Sequence, residues 1–327
     1  MKVSVPPSVL TVALALTAFA TLASACGGRE GRAESDGAAP AAEQVSGTIT
    51  ADGSSTVGPL STSAAEMFQE AQPDVRVTVG VSGTGGGFER FCRAETDLSN
   101  ASRPIKADEE APICKENGVE YAEFEVAIDA LTVVVSAEND WVDCLTVEQL
   151  KAIWAPGSKI DNWSEIPGGG FPDRPLTLAG PGTDSGTFDY FTDAVVGEEG
   201  ASRSDYTASE DDNVIVQAVA GEEGALGYFG FTYYEENQDQ LKAIAIDGGE
   251  GCVEASPEAA QSGEYQPLSR PLYVYVSNES LARPEVETFV RFYLEGLDEI
   301  AEAAQFIPLP EERRGEQLEK LEKAAGA

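Results

Sequence analysis

Histidine is absent from all 327 residues. That removes the commonest general base and the commonest metal ligand, so acid–base catalysis and zinc or iron chemistry lose their usual residue. Basic residues are also scarce: 21 Lys and Arg stand against 57 Asp and Glu, for a net charge of −36. No basic stripe exists, which excludes nucleic acid as a partner. An acidic protein can still hold an anion, because local dipoles dominate at contact and salt screens charge beyond about 8–10 Å. No C-x-x-C spacing occurs. Past the N-terminal region no apolar run reaches the roughly 18 residues of a membrane span.

The N-terminal segment has the layout of an export signal. Lys2 supplies a positive start, Val9 to Ala25 is apolar, and Leu22-Ala23-Ser24-Ala25-Cys26-Gly27-Gly28 places small residues before a cysteine. This resembles a bacterial lipoprotein box, with Ala23 where a leucine is usual and Leu22 one place early. The expectation is a signal peptide over 1–25, lipidation at Cys26 and a protein anchored on the extracytoplasmic face of the cell membrane; ordinary secretion with cleavage near Ala25 is the alternative. Residues 26–45, rich in Gly, Ala, Glu and Ser, read as a flexible tether. The four remaining cysteines allow three pairings. In an exported chain two disulfides are expected, and Cys92–Cys114 with Cys144–Cys252 is favoured because the first pair is close in sequence.

Downstream, strand and helix signals alternate. Gly47 to Ala51 reads as a strand, Pro59 to Gln72 as a helix with Leu60, Ala64, Met67 and Phe68 at helical spacing, and Val75 to Val79 as a strand. A helix over 88–94 and a strand over 97–101 follow, ending at Arg103-Pro104. Ala130 to Ser136 is a buried strand, and 146–154 is a helix with Thr146 as its cap. A strand over 176–179 precedes helices over 187–196 and 212–220. Later come strands over 224–230 and 272–276 and helices over 284–297 and 310–325. This alternation predicts an α/β fold with a mainly parallel sheet covered on both faces, whose ligands bind beyond the carboxyl ends of the strands.

Three segments at such ends share one design: Gly53-Ser54-Ser55-Thr56, Ser82-Gly83-Thr84-Gly85-Gly86-Gly87 and Thr183-Asp184-Ser185-Gly186-Thr187. A helix start presents unpaired N–H groups and the positive end of the macrodipole, glycine lets a ligand approach, and hydroxyls add donors. Taken singly, each is better explained by helix capping. Converging, the three would form an anion site. Trp154 and Trp163 read as packing residues, and Glu198-Glu199 and Glu222-Glu223 as solvated loop charge. Thr183 to Gly186 also looks superficially like a serine-nucleophile turn. With no histidine, and with Ser-Gly-Thr-Phe at 185–188 in place of S-x-x-K, the base is missing, so no enzyme is expected.

In this order and spacing the motifs resemble the phosphate-binding proteins of bacterial ABC uptake systems, the PstS family. The resemblance runs from about Gly47 to Pro310 and rests on Asp52 to Leu60, Gly80 to Phe88, Thr96 to Lys106 and Gly182 to Phe188. Ile153-Trp154, Asn162-Trp163 and Gly224 to Tyr228 add to it. It implies a two-lobed periplasmic-binding-protein fold of class II type, the ligand cleft lying between lobe I (46–127 with 272–327) and lobe II (128–271). Carried over by motif, Ser55, Thr56, Ser82 and Thr84 donate from one lobe and Ser185, Gly186 and Thr187 from the other. The family pattern differs twice: an aspartate is replaced by Arg103, and an arginine by Pro181. Arg103 is therefore expected to pair with the anion, and Asp184 to take over acceptance of the phosphate proton. The implied partners are inorganic phosphate and an ABC permease, with no cofactor and a monomeric state. Another oxyanion, sulfate or molybdate, is the alternative ligand.

Overall fold

A computed structural model describes residues 44–183 and 185–326. The export signal, Cys26, nearly all of the tether, and Asp184 lie outside the described residues. The strands in chain order are β1 (Gly47–Gly53), β2 (Val75–Val79), β3 (Leu98–Ala101), β4 (Tyr121–Ser136), β5 (Cys144–Thr146) and β6 (Thr177–Pro181). They continue with β7 (Thr207–Ser209), β8 (Ala225–Gly230), β9 (Leu241–Ala243), β10 (Ala245–Asp247), β11 (Cys252–Val253) and β12 (Ser269–Ser277).

The main sheet runs β2-β1-β3-β12-β4-β8-β6-β7, with β9 also on β4. Its outer parts are parallel, as the alternating strand and helix signals predict: β1 with β2 and β3, and β6 with β7 and β8. The centre is antiparallel. β12 runs against both β3 and β4, and β4 against β8. The cause is topological: β4 carries the chain from one half to the other and β12 brings it back, so the two must run in opposite directions. The apolar run at 130–136 is thus only the end of a 16-residue strand. Its first part pairs with β12 from Tyr121 to Ala130, and Leu131 to Val135 pair with β8. One continuous strand serves both halves.

Each half buries its own core. The first gathers Ile49, Leu60, Phe68, Phe124, Val274, Phe289 and Leu321, so the C-terminal helices return to the half that began the chain. Phe231 and Ala260, from the middle of the chain, also pack there. The second core is built around Trp154, Trp163, Phe191, Tyr228 and Tyr265. Trp154 and Trp163 are fully buried, which agrees with the packing role read from sequence. Both expected disulfides are present. Cys92–Cys114 lies among Phe88, Phe91 and Tyr275, and Cys144–Cys252 joins β5 to β11 at the surface.

Some boundaries differ from expectation. The second glycine segment is not a turn before a helix: Gly83–Phe91 is helical throughout. Four glycines in a nine-residue helix are costly by propensity. They are accommodated because the helix lies against β1, where a Cβ on Gly87 would meet the Gly53 Cα at 2.5 Å. The helix from Pro284 ends at Glu295 and a new one begins at Leu297, broken by Gly296. The predicted 187–196 helix is Gly186–Phe191 followed by a wider π-helical turn over Thr192–Val196.

Candidate functional site

The site begins at the carboxyl end of β1. Asp52 is buried there; its Oδ1 accepts the Gly53 N–H at 2.8 Å, and it is ion-paired to Arg90. Gly53 has φ 139° and a Cβ there would lie 2.2 Å from the Asn100 carbonyl oxygen, so only glycine fits. This tight exit leads into Ser54, Ser55 and Thr56, which line a cleft, before the helix Gly58–Ala71 starts.

Across from it, Ser185 opens the helix Gly186–Phe191, its Oγ accepting the Thr187 N–H at 3.2 Å. Gly186 sits directly against the first turn: a Cβ there would lie 2.3 Å from Thr56 Oγ1 and 3.0 Å from Ser55 Oγ. The third member, Thr84, accepts the Ser102 N–H at 3.2 Å and lies 3.0 Å from Ser102 Oγ. When Ser102 Oγ is the donor in that pair, the Thr84 hydroxyl proton is available for an anion.

These turns enclose a cleft of about 470 Å³ lined by Ser55, Thr56, Ser82, Thr84, Arg103 and Gly186 among the expected residues. Thr187 faces a neighbouring crevice of about 730 Å³, which it shares with Ser55, Asp129 and Asp212. Ser185 stands at the cap between the two and lines neither. Asp184, next to it, lies outside the described residues.

Arg103 is at the cleft wall but engaged: its Nη1 and Nη2 donate to Glu110 at 2.8 and 2.7 Å. Burial pushes the Glu110 carboxyl up, yet the hydrogen bond from Arg103 and the Lys106 N–H together hold it below its ordinary value, so it stays ionised. Arg103 is in turn raised, first by the hydrogen bond to Glu110.

Sequence reasoning missed Arg270. From β12 it reaches the cleft, its Nε donating to Asp129 Oδ2 at 3.2 Å and its Nη2 to Thr56 Oγ1 at 3.3 Å. Its guanidinium lies 3.7 Å from the centre of the Tyr190 ring. Asp129 is fully buried; burial raises it and Arg270 opposes the rise. The only sequence signal was Ser269-Arg270-Pro271, a repeat of Ser102-Arg103-Pro104, but Arg-Pro occurs four times in the chain and does not discriminate.

Carboxylates also face this cleft: Asp189, Asp193 and Glu199. Asp189 is pushed up by burial and then by Glu199, with Arg270 pulling it down. Glu199, read from sequence as plain loop charge, is exposed but belongs to the cleft wall. Among the described residues no group of three or more carboxylates or cysteines could hold a metal. The Ser185 hydroxyl has no basic side chain within hydrogen-bond distance among the described residues; its one hydrogen bond is the cap to Thr187.

Comparison with known proteins places the chain. A PBP superfamily domain matches residues 38–296. Protein SphX of Synechococcus elongatus is 47% identical over 265 residues, covering 80% of this chain and 77% of that protein. The phosphate-binding protein PstS of Staphylococcus saprophyticus is 40% identical over 282 residues, 86% of each. The crystal structure of a possible phosphate binding protein from Planctomyces limnophilus superposes with TM-score 0.81 at 48% identity, covering 86% of this chain and 99% of that one. A putative phosphate ABC transporter substrate-binding protein with bound phosphate from Clostridium perfringens gives TM-score 0.57 at 28% identity, covering 81% and 100%.

Proposed function

This chain belongs to the PBP superfamily and, within it, to the family of PstS phosphate-binding proteins, and on that premise we propose that it captures inorganic phosphate outside the cytoplasmic membrane and delivers it to an ABC permease. The observation that carries the reading is the meeting of Gly186 with Ser55 and Thr56, beside Ser82 and Thr84. Donors from two halves of the molecule are thereby gathered at one cleft.

In this reading Ser55, Thr56, Ser82 and Thr84 bind from lobe I (46–127 with 272–327). Ser185, Gly186 and Thr187 bind from lobe II (128–271), Gly186 through its backbone N–H. Arg103 contributes from the wall through donors that Glu110 does not take, and Asp184 reads the proton of hydrogen phosphate. Hydrogen bonds to a charged group contribute roughly 1.5–3 kcal/mol each, and micromolar binding needs about 8 kcal/mol. Six to eight such donors suffice after desolvation and ordering costs. Because the donors come from both lobes, the anion favours the closed form, and the permease recognises that form.

No helix among the described residues is long and apolar enough to cross a membrane. Lipidation at Cys26 would hold the protein to the membrane as a monomer on the tether of residues 26–45. In this reading phosphate is held and handed on chemically unchanged.

Calorimetric titration of the purified protein with phosphate, sulfate, molybdate and arsenate tests the reading. Phosphate is expected to bind at a micromolar or tighter Kd and to resist an equal concentration of sulfate. Absence of phosphate binding overturns it, and equal competition by sulfate or molybdate makes the protein a general oxyanion binder.

A further inference from the structure

We propose that Arg270 is the cation that meets the bound anion, with Asp129 as its positioning partner. The proposal deepens the phosphate-capture reading and rests on it.

Arg270 and Asp129 are register partners on β12 and β4, the two strands that cross between the halves. A charge placed there is reached from both sides of the cleft. The Arg270 Nη2 lies 3.3 Å from Thr56 Oγ1, the same hydroxyl that Gly186 crowds from the opposite half. A guanidinium, a hydroxyl and the first N–H groups of a capped helix thus meet at one point. The helix is short, and it is the guanidinium and hydroxyl beside it that make the point a site.

The geometry also leaves Arg270 able to bind. Asp129 takes its Nε and one edge of Nη2 through a single oxygen, Oδ2. Nη1 has no hydrogen-bond partner among the described residues, and the side chain lines the cleft. The Tyr190 ring covers one face of the guanidinium at 3.7 Å, which sets its plane and keeps water off that side. Asp129 holds the group against rotation away from the cleft.

The other cations of the cleft are less well placed. Arg103 is closed in a two-pronged pair with Glu110, and Lys106 is exposed and paired to Glu109 at 2.8 Å. With Asp189, Asp193 and Glu199 on the same wall, a dianion entering without Arg270 would face net repulsion. A buried ion pair is poor evidence of a stabilising role, since apolar replacement is often neutral or better. Its opening onto the cleft is what points to the ligand.

The test is calorimetric titration of the full chain with inorganic phosphate, comparing R270Q, R270K, D129N, D129E and R103A with the unaltered protein, each with a ligand-free thermal melt. R270Q is expected to weaken phosphate about 100-fold or more, and R270K about tenfold, because one ammonium cannot reproduce the planar fork. D129N should weaken phosphate less than R270Q, with D129E restoring part of the loss, a rescue that a merely structural role would not show. R103A should also cost less than R270Q. Binding to R270Q within about threefold of the unaltered protein overturns the proposal, as does a larger loss in R103A than in R270Q. Should R270Q fail to fold, R270K decides: a loss of about tenfold with an unchanged ligand-free melt supports it, and an unchanged affinity overturns it. If the unaltered protein does not bind phosphate, the capture reading itself falls; if it binds and only the variants disagree, Arg270 alone is withdrawn.

Discussion

Gly186 and Thr56 touch across the cleft so closely that a methyl group on Gly186 would lie 2.3 Å from Thr56 Oγ1. The residues belong to helix starts 130 positions apart in the chain, and a single missing Cβ lets them meet. Gly186→Ala therefore tests closure directly. Overpacking of this kind costs about 1–3 kcal/mol, so phosphate affinity should fall roughly 5- to 150-fold. Where the anion is what favours closure, the ligand-free turns can part and the ligand-free melt should barely move. Unchanged calorimetric affinity would mean that the closed contact is not the binding form.

Arg103→Ala should weaken phosphate by about tenfold, the loss of one charge-assisted contact at a wall already neutralised by Glu110. Glu110→Gln is the companion measurement: it releases the Arg103 charge into the cleft and should leave phosphate binding as tight or tighter. An affinity for R103A equal to that of the unaltered protein removes Arg103 from the site.

Asp184→Asn addresses selectivity. If Asp184 accepts the proton of hydrogen phosphate, the amide should admit sulfate, which has no proton to offer. Competition titrations with sulfate read this out, and identical selectivity in the variant rejects the role.

Asp212 provides a pH prediction. Burial first, then Asp211 and Glu210, push its carboxyl up to about 6 from 3.8. A raised carboxyl in the folded state is stabilising only while protonated: the contribution is complete below pH 3.8 and is lost as pH rises through about 6. Asp212→Asn should therefore stabilise the protein at pH 7–8, on the order of 1 kcal/mol after solvent screening, or ~2–4 °C in Tm. The gain should vanish by about pH 4. A Tm difference that does not change with pH would show that Asp212 does not titrate in this range.

The two disulfides should respond differently to reductant. Cys144–Cys252 is at the surface and spans 108 residues, whereas Cys92 and Cys114 are fully buried. Mild thiol treatment should open Cys144–Cys252 first, and chain entropy predicts a loss of about 4–5 kcal/mol for a loop near 100 residues. Mass spectrometry of alkylated protein checks the order, and prior opening of Cys92–Cys114 would contradict the burial argument.

Much of this was legible without coordinates. Strands such as Val75–Val79, the capping signal at Thr146 and the glycine and hydroxyl segments are local: each is encoded within a few consecutive residues, because backbone conformation and helix capping depend on near neighbours. The order of those segments along the chain was enough to reach the fold class and the family. The length of β4 was not legible. Its first five residues are mostly half-buried, and from Val126 onward it is continuously buried, first beside β12 and then beside β8, so one strand carries two patterns. Nor was the helical state of the second glycine segment, which packing against β1 imposes over propensity.

The chain's own order of residues thus determined which turns could donate to an anion and that no histidine could do chemistry on it. Only the tertiary structure decided where the positive charge stands. Arg103, beside the expected motif, is drawn to Glu110 seven residues on, while Arg270 arrives at Thr56 from 214 residues away. An arginine reads the same in sequence wherever it occurs. Its charge acts over a few ångströms, so its role depends on which carboxylate the fold sets against it and which face it leaves open.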